Sequence, residues 1–287
     1  MLRLPLGVIK VSSGKTKNDI QYLNLPYQSV EIEHKYGERI HILSNPVMQS
    51  VLARIGRPDI FQPQVNHLME RLYEFLILEA SNTLLPRERV QWDTRMKEFT
   101  DQGFFDGEII RPDTKAVIVD MARAGTFPSH ISYHRLHDIL NAEGLRQDHF
   151  YLNRKVNAKN EVIGVDVSGS KIGGPVEDAF VFFPDPMGAT GGSLSHCVSH
   201  YKNEVEGKAC KYIALHIIVT PEYIRRMKKD HPDVEIFALR LDRGLSSEEI
   251  LKTIPGTHPE QEVGLTDTQY IVPGAGGVGE VLNNSFV

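Results

Sequence analysis

The stretch FVFFPDPMGATGGS, Phe180 to Ser193, decides how this chain is read. Its apolar run, Ala179 to Phe183, is what a parallel strand buried on both faces requires. Asp185 stands where that strand must end. Met187-Gly188-Ala189-Thr190-Gly191-Gly192 is a turn of small residues. From Ser193 onward, Leu194, Cys197, Val198 and Tyr201 fall at helical spacing. Strand, acid, glycine turn and helix start make a place for phosphate. Glycines let backbone N–H groups approach an anion, and a helix N-terminus favours negative charge. Asp185 adds an acceptor for hydroxyls on whatever carries the phosphate, so a sugar phosphate fits better than a bare anion. No lysine follows the last glycine, which separates the loop from a P-loop. An ordinary strand–turn–helix connection is the plain alternative.

Further elements of the same kind lie on both sides. Ala116 to Asp120, AVIVD, is a β-branched strand leading into Met121-Ala122-Arg123-Ala124-Gly125. Arg123 thus sits beside a turn at a strand's carboxyl end, where open α/β sheets bind ligands. His149 to Lys155 reads as a strand with Arg154 near its end, and Lys211 to Thr220 and His231 to Asp242 read as two more. Upstream, Glu38 to Leu43 forms a short strand, and Asn45-Pro46 opens a helix closed by Gly56. A longer helix spans Asp59 to Leu85, with Val65, Leu68, Met69, Leu72, Phe75, Leu76 and Leu78 on its apolar side. Pro221 starts a short helix through Lys229, and Ser246-Ser247-Glu248-Glu249 caps another. Residues 1–30 read as a partly extended arm, and Ser168 to Pro175, SGSKIGGP, as a flexible cover over the site. QYIVPGAGGVG, Gln269 to Gly279, contains GxGxxG, but the eight residues after it cannot build the rest of a βαβ unit.

Composition narrows the classes. The 287 residues are 41% hydrophobic and 24% charged, as in a globular protein with a substantial core. A net charge of −5 and the lack of a long Lys/Arg run argue against a nucleic-acid partner. No apolar run reaches the roughly 18 residues of a membrane span. Two cysteines, Cys197 and Cys210, offer neither metal spacing nor a disulfide framework, which fits a reducing cytoplasm. His130, His134 and His137, and the pair His196 and His200, lack a completing carboxylate or cysteine. They read as exposed or core-edge histidines, and no protein metal site is assigned.

In order, the motifs resemble those of the uracil phosphoribosyltransferase family. DPMGATGGS is similar to the family's DPMLATGGS loop, and Asp120 to Gly125 to its ILRAGLGM motif. NPVMQSVLARIG and LEASNTLLP resemble HPLVQHKLTLMR and YEATRDLP, and HFYLNRK resembles VGMYRNEET. IIVTPEYI and HPDVEIFALRLD resemble VAAPEGI and HPDVxIYTAxID, and QYIVPGAGGVG resembles YIVPGLGDAGDR. The resemblance implies a type I phosphoribosyltransferase-like α/β fold, a central mostly parallel sheet flanked by helices with a small hood. Residues 31–287 would be one domain, with an insertion at about 246–267 near the base pocket.

It also implies a role for each matched residue. Phosphoribosyl pyrophosphate would be held by Arg123, Arg154, Asp185, Pro186, Met187, Gly188, Ala189, Thr190, Gly191, Gly192 and Ser193. Asp185 and Arg123 would serve the chemistry. A nucleobase, uracil in the family, would meet Tyr270, Ile271, Gly276, Gly277 and Val278. Mg²⁺ would arrive on the substrate's pyrophosphate. The enzyme would be a cytoplasmic homo-oligomer, a dimer or tetramer, in pyrimidine salvage. One departure stands out: Gly277 occupies the position of a family Asp, and Glu280-Val281 that of Asp-Arg. The expectation is weak or absent turnover of uracil, raised by Gly277→Asp, unless Glu280 or the insertion supplies a substitute. A paralogue acting on another base, or a ligand sensor or interaction protein that kept the fold, stays open.

Overall fold

The computed structural model describes residues 19–156 and 162–285, with backbone alone at 153–156 and 162–167. The chain divides into two compact units. In the larger, β1 (Ile40–Ile42) precedes α1 (Pro46–Ile55) and α2 (Gln64–Leu84). Asn45 caps α1 by accepting from the Val47 and Met48 amides, each at 3.1 Å, and Pro46 takes the first helical position. The helix expected from Asp59 starts at Gln64, after a cis Gln62–Pro63 bond. Its buried stripe runs through Val65, Leu68, Met69, Leu72, Leu76 and Ala80, joined by Tyr73 and Ile77. Phase decides membership, since residues three or four apart share a face. Leu78 falls off that face and is exposed, and Phe75 is only half-buried.

The smaller unit is built on an antiparallel ribbon of β2 (Arg87–Asp93) and β3 (Phe104–Ile110), which the sequence reading does not name. Arg89 and Asp106 pair across it through two bonds of 2.7 and 2.8 Å. The described part of the N-terminal segment joins this ribbon, the Leu25 amide donating to Glu108 at 3.2 Å.

The larger unit continues with β4 (Lys115–Ala122), α3 (Thr126–Leu136), β5 (Leu145–Val156), β6 (Val162–Lys171) and β7 (Ala179–Pro184). After β7 come β8 (Met187–Gly188), α4 (Gly192–Glu204), β9 (Lys211–Val219), α5 (Pro221–Asp230) and β10 (Glu235–Leu241). The short helices α6 (Glu248–Leu251) and α7 (Val278–Asn283) close it. One sheet has the order β1-β10-β9-β7-β4-β5-β6, with β8 also on β9. Every pairing is parallel except β5 with β6. All six residues of β7 are buried, as its unbroken apolar run requires. This is the expected α/β architecture.

The expected flexible cover at Ser168 to Pro175 is not one. Residues 168–171 finish β6, and those after it are fastened to β5: Gly173 N–H donates to Asp148 Oδ1 at 2.8 Å, and Arg146 donates to the Gly174 and Pro175 carbonyls at 2.7 and 2.6 Å. Small residues here serve close packing, since a Cβ on Gly173 would lie 3.0 Å from the Arg146 side chain.

At the sheet edge His41 stacks on Phe237, and its Nδ1 lies 2.8 Å from Glu31 with Nε2 3.5 Å from Glu235. Burial lowers its pKa, but hydrogen bonds to Glu235 and Glu31 outweigh that and leave it raised. A raised folded-state value stabilises fully below the unfolded pKa and fades as pH rises through the folded value. The urea midpoint of the natural protein should therefore exceed that of His41→Asn by more at about pH 5.5 than at about pH 8. An equal gap at both would remove His41 from the account.

Candidate active site

Four neighbouring parallel strands, β10, β9, β7 and β4, end side by side, and the candidate residues follow their carboxyl ends. Asp185 leaves β7 with its amide donating to Leu215 O at 3.0 Å. Its carbonyl lies 2.5 Å from His216 Nδ1. The turn is stitched to β9: Thr220 N–H donates to Gly188 O at 3.1 Å, and its hydroxyl to Ala189 O at 2.6 Å. Gly188 and Gly191 lie close to the Tyr223 ring, a Cβ on either falling 3.3 to 3.4 Å from a ring carbon. Gly191 also has φ +77°, which favours glycine, and it starts α4 with no side-chain cap. The first-turn amides of Ser193 and Leu194 therefore point forward without helical acceptors. Pro186, Met187 and Thr190 complete the loop; the Thr190 hydroxyl takes the Gly192 amide at 3.4 Å. Burial first, and the Asp185 charge second, raise the pKa of Tyr73, Cys197 and Tyr223.

The turn after β4 is wedged against the end of β7. A Cβ on Gly125 would come within 2.9 Å of Pro184 O, so only glycine permits the approach. Arg123, after a cis Ala122–Arg123 peptide, is exposed and donates to Ser285 Oγ at 2.8 Å. Gly279 lies against Ala124, bringing the C-terminal segment to the same edge. The Arg154 side chain lies outside the described residues; its backbone pairs with Val165 in the β5–β6 hairpin.

The hood grows from β10. Asp242, fully buried, accepts from the Gly274 amide at 2.7 Å, and Arg240 Nε lies 2.5 Å from its other oxygen. Burial raises its pKa against both partners. Antiparallel contacts between Leu265 and Ile271, and between Val272 N–H and Gly264 O at 2.9 Å, shape the loop. Ile271 and Val278 are buried, Tyr270 is exposed, and Gly276, at φ +66°, faces open space. Gly277 has φ −78°, so it needs no left-handed freedom. A Cβ there would fall on the Glu280 carboxylate, the far end of a flexible side chain that would have to shift.

Residues 246–267 are anchored from beneath. Glu262 is fully buried and accepts from Arg243 at 3.2 Å, the Gly256 amide at 2.7 Å and the Tyr36 hydroxyl. Glu222 on α5 accepts from the Gly264 and Leu265 amides at 2.9 and 3.3 Å. The loop after β7 also gathers Thr220, His216, Tyr223 and Arg226; Arg226 lies beside Gly191. Thr220 is legible as a cap before Pro221. Nothing local marks the other three, which reach the loop only through strand order. Among the described residues no three His, Cys, Asp or Glu side chains gather as metal ligands.

The mostly parallel sheet flanked by helices, with a glycine loop, an acid and an arginine turn at adjacent strand ends, is a type I phosphoribosyltransferase fold. The solved structure of protein AQ2163 from Aquifex aeolicus shares this fold, with a TM-score of 0.63 at 20% identity, covering 85% of this chain and 97% of that one. The family model for uracil phosphoribosyltransferase matches residues 42–258. This chain belongs to the uracil phosphoribosyltransferase family. Uracil phosphoribosyltransferases of Acidovorax sp. (strain JS42) and Rhodococcus jostii (strain RHA1) are 25% and 26% identical, over 84% and 85% of this chain and 96% and 97% of theirs.

Proposed function

We propose that the protein joins uracil to the ribosyl group of phosphoribosyl pyrophosphate, releasing UMP and pyrophosphate. The anomeric C–O bond to pyrophosphate breaks, a C–N bond to the base forms, and the base loses its N–H proton. The observation that carries this reading is the loop from Asp185 to Ser193, fastened to β9 at the edge where Arg123 and the hood also stand. Loop amides and the Thr190 and Ser193 hydroxyls hold the 5-phosphate. Asp185 takes the ribose hydroxyls and favours positive charge at the anomeric carbon. Arg123 and Arg154 take the departing pyrophosphate. The oxygen-rich pyrophosphate suits Mg²⁺, which would neutralise the leaving group. Backbone groups around Gly276 meet the edge of the base, beside Tyr270, Ile271 and Val278. Glu280 supplies the carboxylate that Gly277 lacks.

The larger unit, residues 28–85 and 112–287, would be the catalytic domain, with 246–267 as a wall of the base pocket. Two free cysteines, one of them exposed, suit a reducing cytoplasm, and pyrimidine salvage by a homo-oligomer is the setting proposed. No helix among the described residues is long and apolar enough to cross a membrane.

Formation of UMP from uracil, phosphoribosyl pyrophosphate and Mg²⁺ tests the reading; no product from uracil, with product from another base, would move it to a paralogue. Arg123→Ala should weaken phosphoribosyl pyrophosphate about ten- to hundredfold, the worth of a charge-assisted contact, and ribose 5-phosphate much less. Equal losses in calorimetric titration would separate Arg123 from the pyrophosphate.

A further inference from the structure

Among the described residues His216 has no charge partner, yet it sits in the interior of β9 with a polar group on each ring nitrogen. Its Nδ1 lies 2.5 Å from the Asp185 carbonyl, and its Nε2 lies 2.6 Å from the Tyr223 hydroxyl. A carbonyl only accepts, so Nδ1 carries the hydrogen; Nε2 of the neutral ring then accepts from Tyr223. Burial pushes the pKa of His216 down to about 4, in keeping with that neutral ring. An aliphatic side chain would fill this strand position without the cost of desolvating a polar ring. The polar choice serves the backbone of Asp185.

We propose that His216 and Tyr223 are positioning residues of the phosphate loop, holding the Asp185 main chain and the floor of the Gly188–Gly191 turn in the shape a phosphoribosyl group needs. Asp185 is gripped on both sides: its N–H donates to Leu215 O at 3.0 Å, and its carbonyl meets His216. Pro186 follows and keeps residue 185 extended. Tyr223 ties the two halves together. Its ring packs edge-on against His216 at 4.7 Å, and the same ring closes the space beside Gly188 and Gly191. One hydroxyl thus couples the acid that meets ribose to the amides that meet phosphate. The inference rests on the phosphoribosyl reading of the loop.

Calorimetric titration with ribose 5-phosphate tests it, alongside thermal melting of each variant. Tyr223→Phe, which removes one oxygen, and His216→Leu should each lose about tenfold in affinity, the worth of one buried hydrogen bond. His216→Asn offers an amide N–H where Nδ1 stood and should stay within about threefold of the natural chain, although its smaller side chain lowers the melting temperature. Natural affinity in Tyr223→Phe, or affinity that follows melting temperature across the series, overturns the proposal. Absence of ribose 5-phosphate binding in the natural chain overturns the site reading and this inference with it.

Discussion

Asp185→Asn should lower turnover by about a hundred- to a thousandfold, as loss of a group aimed at developing charge does. The change keeps size and shape. It leaves the backbone bonds of residue 185 to Leu215 and His216 in place, so the loop amides stay where they are. What goes is the negative charge in a partly enclosed setting, felt already by Tyr73, Cys197 and Tyr223. Positive charge grows at the anomeric carbon as pyrophosphate departs, so the loss falls on the transition state. Ribose 5-phosphate carries no leaving group and should bind within about tenfold of its natural affinity. Steady-state kinetics beside titration separates the two; a matching loss in both would make Asp185 a binding residue only.

The second large effect concerns Gly277 and Glu280. Gly277→Asp alone should bring no gain with uracil, because the new side chain and the Glu280 carboxylate claim one space and repel. Glu280→Ala alone should cost about ten- to hundredfold in kcat/KM, the worth of a charged hydrogen-bond partner. The double variant carries its carboxylate on residue 277 and should recover most of that loss. The sequence alone expects Gly277→Asp to help unless Glu280 or the insertion supplies a substitute, and the Glu280 carboxylate lies where a Cβ on residue 277 would fall. Natural turnover retained in Glu280→Ala would end this account.

Legibility followed physical locality. Strands buried on both faces announce themselves by continuous apolar runs, so β4, β7 and β9 were readable within a residue or two. The glycine loop was readable because backbone approach to an anion demands small residues in sequence. The ribbon of β2 and β3 was not, since its residues are mostly half-buried and carry charge pairs in place of a clean alternation. Tyr73 is missing from the predicted apolar side, yet it is fully buried, its hydroxyl satisfied by Leu215 O at 3.1 Å. His216, Tyr223 and Arg226 gain their places from strand neighbours or from a turn of helix, and a linear reading has no register for either. At Gly277 the structure adds one fact: the Glu280 carboxylate fills the space where a Cβ would stand.

The anchoring of residues 246–267 bears on how this chain can be recombined. Glu262 and its backbone donor Gly256 are internal to the segment, but the side chains that neutralise and hydrogen-bond it, Arg243 and Tyr36, lie outside it. Arg225, which donates to Glu262 O at 3.0 Å, is outside as well. A graft of 246–267 onto a shorter relative would bury an orphaned carboxylate. A deletion here would strand an arginine whose donors now also serve the Ile250 and Thr253 carbonyls. Segment and sockets therefore transfer together or not at all, so a chimera should exchange Tyr36, Arg225 and Arg243 with the loop they hold.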